Sequence, residues 1–551
     1  MTYKKKIAAL TSAICLALSA SAFAAQAPTG VQVPSLSTSD TTTWLCWDRP
    51  AQGDDAQYYN VYENGKLIGT TKTPIDTYGT KAMAKFQAEN KDLCGDLLIF
   101  HSYGVKNLTP GTEYSFTVRA VGKDGKESAD SKVVKVKTVT TRKVVKLTDF
   151  GAKGDGKTVN TQALQKAIDA TPHGGILEVP AGTFVSGAVQ LHGNMTLQLD
   201  KGAVLKCSAE VGDYQMLDNG RYNGLLNCRD VENLRIVGEG TIDGSGWQQA
   251  ADGHYMKAAN RDDGSGTKSR FPDLDAYGVL AKAQTEYLMQ HDDRDFKEGY
   301  NGRGTTVQLN HVDKLYVEGV TFVNPSMHMI VVNFGNDVTF NNTKFMTYDA
   351  NNGDVIDYTG SGYKVMNCYL DSGDDALNFN AGMGEDAQGR PPVGNAWIFN
   401  NYVKRAHGGI TFGSHTASWI EKVLGEDNVF EGTEVGFRCK TSGTMGGGGR
   451  DSVFRHNVLK DIKKQAFIFT TNYTDINAVG KFKGAEAGEF KNMLIEDCNV
   501  ENTGKAGLEI EGVEGKPHHD ITLRRVHFKN VKPDKLKNYE NLKKEDVTYE
   551  K

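Results

Sequence analysis

The sequence predicts an all-β protein in which a small β-sandwich precedes a long parallel β-helix. Three observations carry this. Glycine is abundant (61 of 551 residues) and proline scarce (13), which favours many tight corners over long helices or low-complexity chain. Between residues 27 and 140, short alternating runs are separated by turn residues. Beyond residue 144, a strand-and-corner motif recurs with a period in the twenties.

The chain is too long for one compact domain. Residues 1–24 read as a secretory signal: Lys4–Lys6 form a charged start, Ile7–Leu18 an apolar stretch, and Ala22-Phe23-Ala24 a small-x-small cleavage site. The stretch is too short to span a membrane. A mature protein in the periplasm or outside the cell is expected. Losing the three lysines takes the formal charge from −5 to −8. There is no basic tail or basic helix, so nucleic acid is not an expected partner, and an acidic substrate needs a local basic site. Without Cys15, seven cysteines remain, too few and too odd for a disulfide framework. Cys46–Cys94 and Cys207–Cys228 are candidate bridges. Cys368 and Cys498 sit in apolar strand patterns and read as buried thiols. Zinc motifs are absent from the sequence, so no metal site is expected.

In residues 27–140, Tyr58–Tyr62 and Leu67–Gly69 flank a turn at Glu63-Asn64-Gly65-Lys66, and Tyr114–Val121 alternates before Lys123-Asp124-Gly125. Leu108-Thr109-Pro110-Gly111-Thr112-Glu113-Tyr114 places a tyrosine where a sandwich strand begins. With Trp47, this region resembles a fibronectin type III module. It carries no cluster of chemistry, so a spacer or substrate-presenting role is expected. A Thr/Lys/Val linker follows at 138–145.

From Val144 the pattern changes. Asn160–Ala170 has the apolar spacing of one short capping helix, and strands follow. Taking the last apolar residue of each repeat as a marker, Phe322 to Phe345, Phe345 to Leu370 and Val500 to Phe528 are steps of 23, 25 and 28 residues. Leu370 to Val403 is 33, implying a loop insertion. Such periods fit coils pairing at ~4.8 Å around a narrow apolar core, with Asn and Gly at the bends. The Leu-x-x-Leu-x-Leu signature of leucine-rich repeats is missing.

In such a coil, residues one repeat apart stand on one face. Asn352-Gly353-Asp354, Gly373-Asp374-Asp375, His407-Gly408 and Arg438-Cys439-Lys440 follow one another at about one coil each. Gathered carboxylates raise each other's pKa, which suits glycoside hydrolysis: one carboxyl protonated, another ionised to activate water. His407 can tune the proton. Arg438 and Lys440, two apart on a strand, face one side and can bind a substrate carboxylate. Taken singly, each group has a plainer reading: Gly-Asp-Asp as a turn, His407 as structural, Arg-x-Lys as solvated surface. Their conjunction at coil spacing favours a site.

These four motifs, in this order and spacing, resemble the signature of family 28 glycoside hydrolases, the polygalacturonases. Asp149-Phe150-Gly151-Ala152 is similar to the start of many members, and the likeness covers residues 144–551. The added module and Met445-Gly446-Gly447-Gly448-Gly449-Arg450 look most like bacterial exo-acting members. The resemblance implies a pectin-lyase-like, right-handed, single-stranded parallel β-helix and an inverting mechanism without metal or cofactor. It implies Asp374 as general acid, Asp354 and Asp375 as the pair that holds and deprotonates water, and His407 as support for the acid. It further implies that Asn352, Arg438 and Lys440 bind galacturonate. Gly353, Ala406 and Cys439 depart from the commoner pattern without removing a functional side chain.

Residues 246–306 interrupt the repeats and carry Trp247, Tyr255, Phe271, Tyr277, Tyr287 and Tyr300. So long an insertion is expected to wall off one end of the groove. The Gly446–Gly449 run reads either as a flexible surface loop or as a close approach to sugar, Arg450 is a candidate groove cation, and His328 is a candidate substrate contact. The substrate expected is polygalacturonate or its oligomers, the protein a monomer with no membrane partner. The expected action is from the non-reducing end with release of digalacturonate; the rival readings are an endo-acting or a monomer-releasing exo-acting polygalacturonase, then a pectate lyase, which needs calcium, and a non-catalytic polysaccharide-binding β-helix.

Overall fold

The computed structural model describes residues 25–551 apart from 250–259, 263–267, 273, 349, 475–481 and 483–484. The expected signal segment, Tyr255 and the Phe271 side chain lie outside the described residues. No helix among the described residues is long and apolar enough to cross a membrane.

The N-terminal part is a sandwich. A four-stranded antiparallel sheet (Ala56–Glu63, Lys66–Thr70, Glu113–Gly122, Val134–Lys137) accompanies the pair Thr43–Cys46 and Ser102–Val105. Trp47, Tyr59, Val61, Phe116 and Val118 fill its core. The Tyr114 hydroxyl accepts the Thr109 N–H at 2.8 Å, the tyrosine corner that the sequence indicates.

Two helices interrupt this sandwich, α1 (Tyr78–Glu89) and α2 (Lys91–Cys94), and sequence reading did not foresee them. They press Met83, Phe86 and Cys94 against Tyr402, Val429 and Val458 of the β-helix. Trp44 donates its indole N–H to Glu318 at 2.6 Å. Beside these contacts lies a buried charge cluster. Asp427 pairs with Arg49, accepts the Ile99 N–H at 2.8 Å, and lies 3.4 Å from the His101 imidazole. The module is thus docked on the β-helix and is not strung out on a linker. Cys46 and Cys94 fall in different apolar clusters, and neither candidate disulfide forms: all seven cysteines are buried thiols.

From residue 144, parallel strands stack coil on coil. The repeat markers are register partners: Phe322 with Phe345, Phe345 with Leu370, Leu370 with Val403, and Val500 with Phe528. The corner asparagines do more than bend the chain. Asn401 donates to Asn428 at 3.0 Å and Asn428 to Asn457 at 3.1 Å, a ladder that satisfies buried amides coil by coil. Helix α3 (Thr161–Ala170) lays Leu164, Ala167 and Ile168 on the first coils as a cap.

The insertion carries α4 (Leu280–His291) and α5 (Phe296–Asn301). Trp247 is buried with Leu274, Ala281, Tyr300 and Ala350, which fixes these helices to the coils. The glycine run is packed and is not a flexible surface loop: the close approach its glycines serve is to neighbouring backbone. A Cβ on Gly447 would lie 2.1 Å from the Thr416 carbonyl, and one on Gly448 1.6 Å from that of Glu489. Backbone packs on backbone there, which only glycine permits.

Candidate active site

Coil stacking turns the sequence spacing into rungs. Asp354 lies just ahead of the strand Ile356–Met366, Asp374 and Asp375 just ahead of Leu377–Phe379, and His407 just ahead of Gly408–Phe412. Backbone bonds lock the rungs: Val355 N–H to the Asp375 carbonyl at 3.1 Å, and His407 N–H to that of Asp374 at 2.8 Å. Arg438 and Lys440 project from Val435–Lys440, one coil further. Gly408 has to be glycine here, because a Cβ would lie 2.8 Å from an Asp375 carboxylate oxygen.

The three carboxylates are not equivalent. Asp375 is buried, yet two cations outweigh the desolvation: Lys440 Nζ and Arg438 Nη1 each lie 2.8 Å from its oxygens, and its carboxyl is held far below the usual range. Burial also pushes Asp374 up, but the His407 Nδ1 contact at 2.9 Å prevails and its carboxyl is lowered. Desolvation works against the charge on His407, and Asp374 overrides it, raising the imidazole to about 9. Asp354 keeps the raised value. Burial first, then the Asp374 charge, lift it to about 7, although His328 Nδ1 lies 2.9 Å away. His328 also lies 3.5 Å from Asp357, and its own pKa rises because these carboxylates outweigh its burial. Oxygens of Asp354, Asp374 and Asp375 lie within 4.8 Å of one another.

These groups open into a polar pocket of about 550 Å³. His328, Asn352, Asp354, Asp374, Asp375 and Lys440 line it, while His407 and Arg438 reach it through the acids they hold. All eight residues singled out from the sequence therefore meet. Arg450 does not join them: it pairs with Glu421 at 2.7 Å and stacks on Trp419. Sequence reading missed Arg221, Asp357 and Tyr473, which also line the pocket. Lys440 lies 4.9 Å from the Tyr473 ring centroid. Tyr300, on α5, joins the lining from the insertion and donates its hydroxyl to Asn351 at 2.7 Å.

The chain is similar to known proteins in sequence and fold. The family described as Glycosyl hydrolases family 28 matches residues 291–548, Rhamnogalacturonase A/epimerase, pectate lyase-like matches 144–261, and Fibronectin type III domain matches 26–137. Over 96% of its length the chain is 36% identical to an exo-poly-alpha-D-galacturonosidase of Dickeya chrysanthemi, of which 90% is covered. The chain belongs to glycoside hydrolase family 28. A solved family 28 exopolygalacturonase from Yersinia enterocolitica superposes with a TM-score of 0.87 at 34% identity, covering 95% of this chain and 96% of that one. An exopolygalacturonase from Thermotoga maritima shares the fold, with a TM-score of 0.60 at 23% identity over 74% of this chain and 92% of its own.

Proposed function

We propose that this family 28 glycoside hydrolase cleaves the α-1,4 linkages of polygalacturonate from the non-reducing end, outside the cytoplasm, releasing digalacturonate. The observation that carries the reading is the division of labour among the three acids in a pocket flanked by the insertion. Asp374, ionised at rest against the His407 imidazolium 2.9 Å away, takes that imidazolium's proton and passes it to the glycosidic oxygen. Water sits between Asp354 and Asp375. Asp375, ionised by its two cations, takes the water proton as the new C1–O bond forms and the old one breaks. Lys440 and Arg438 on one side and Arg221 on the other offer positive charge to substrate carboxylates. The relatives named for exo action cover nearly the whole chain, insertion included, which supports attack from an end.

Chromatography of early products on unesterified polygalacturonate tests the mode of attack. A digalacturonate peak from the first minutes is expected, and a ladder of intermediate oligomers would reject end-wise attack. The acid oxygens lie closer together than the ~6.5–9.5 Å usual between the carboxyls of inverting pairs. Proton NMR of the nascent product is therefore decisive for stereochemistry: the β-anomer is expected first, and the α-anomer would mean retention.

A further inference from the structure

Arg303 sits beside the end of the pocket flanked by the insertion and is fully buried. A buried guanidinium ordinarily pairs with a carboxylate. Among the described residues no carboxylate pairs with Arg303, and four of its five N–H donors go to neutral oxygens. Nε donates to the Tyr300 carbonyl at 2.6 Å, Nη1 to the carbonyls of Ser326 at 2.6 Å and Asn351 at 3.4 Å, and Nη2 to Asn352 Oδ1 at 2.9 Å. The guanidinium carbon lies 3.5 Å from the Tyr300 ring centroid. Burial brings its pKa down to about 10, so it stays charged at neutral pH.

These acceptors belong to three segments. Tyr300 lies on α5, Ser326 lies in the next coil, and Asn351-Asn352 begin the loop that carries Asp354. Arg303 thereby fastens the insertion to the loop of the acid. It also orients a pocket residue. Arginine has no acceptor, so the Asn352 atom facing it is the carbonyl oxygen. The Asn352 NH₂ makes no hydrogen bond among the described residues and is left for the pocket that Asn352 lines.

We propose that Arg303 is a positioning and specificity residue: its unneutralised charge, with the Asn352 amide it orients, selects a carboxylate-bearing sugar over a neutral one at the end of the pocket flanked by the insertion. This rests on the end-wise binding proposed above. Arg221 lines the pocket itself, and Arg303 acts from behind, across surroundings that screen charge poorly.

The test uses the full-length enzyme and two galacturonate trimers that differ only at the non-reducing terminal carboxyl, free or methyl-esterified. Wild type is expected to favour the free trimer in kcat/KM by about tenfold or more, the scale of one charge pair in such surroundings. Arg303→Met is expected to lower that ratio several-fold, through KM, with Arg221 keeping the remainder, while Arg303→Lys keeps most of it. A ratio unchanged in Arg303→Met, or near unity in wild type, overturns the proposal. Where Arg303→Met does not melt as a folded protein, Arg303→Lys decides: a retained ratio supports the charge, a collapsed one rejects it. A wild type that leaves unesterified polygalacturonate intact would instead reject the function on which the proposal rests.

Discussion

Two regions of this molecule bury an aspartate among cations. Where the sandwich docks, Asp427 is held well below the usual carboxylate range: burial raises it, and Arg49 and His101 outweigh that. In the groove, Lys440 and Arg438 do the same for Asp375. The local electrostatics are nearly alike, so a depressed buried acid does not mark a catalytic centre. The difference lies in the neighbours. Around Asp427, protein groups enclose the charge: Arg49, His101 and the Ile99 amide. Beside Asp375 stand two more carboxylates, one raised and one lowered, facing a cavity. A closed cluster holds two domains together, and an open one with surplus acid holds a proton for chemistry.

The sharpest way to break this comparison is to neutralise one acid in each cluster. Asp374→Asn is expected to lower kcat by roughly 10²–10⁴-fold, the weight of a positioned general acid, with only a small fall in melting temperature, because the pair it breaks with the half-exposed His407 contributes little. Steady-state rates beside a melting curve check both. A rate within tenfold of wild type would remove Asp374 from the acid's role.

Asp427→Asn is expected to do the reverse. Removing one partner of a buried pair leaves Arg49 uncompensated and costs about 3–5 kcal/mol, seen in denaturant unfolding. The kcat of the folded fraction should hold, because the cluster touches no pocket residue. A large loss of kcat with unchanged stability would show that the interface speaks to the groove.

A smaller effect separates the clusters by pH. The folded-state pKa of His407 is about 9, above the ordinary value, so its pairing with Asp374 stabilises fully below pH ~6.5 and is lost as pH rises through about 9. The alkaline limb of kcat/KM should fall through the same window and vanish in His407→Asn. His456, by the interface, is shifted the other way, to about 4, burial being the main cause. It stays neutral across this window, and its replacement should leave that limb in place.

How much of this was legible in the sequence depends on distance along the chain. A β-helix aligns residues one repeat apart, so Phe322, Phe345 and Leu370 could be stacked by counting, and Asp354, Asp374 and His407 with them. Contacts between distant segments leave no such period. Phe86 packs on Tyr402, and nothing in the spacing of α1 names its partner. Arg303 binds largely backbone carbonyls, which carry no side-chain pattern. Glycine misleads in its own way: Gly446–Gly449 has the composition of a flexible loop and the packing of a core.

Arg450 is the finest point on which the groove's boundary can be tested. Its place after the glycine run suggests a groove cation, yet its guanidinium meets Glu421 at 2.7 Å and covers the Trp419 ring at 4.7 Å. A partly exposed pair of this kind contributes ~0–1 kcal/mol. Arg450→Ala should therefore lower the melting temperature slightly and change kcat/KM on polygalacturonate by less than about twofold, even at low salt, where exposed charge acts furthest. Lys440→Ala, measured alongside, should raise KM many times over, because Lys440 lines the pocket and its loss leaves Asp375 with one cation. Were the two substitutions to weaken substrate equally, the polymer would have to run along the rim past Trp419. The enclosed groove and the outer coil surface would then be one binding face.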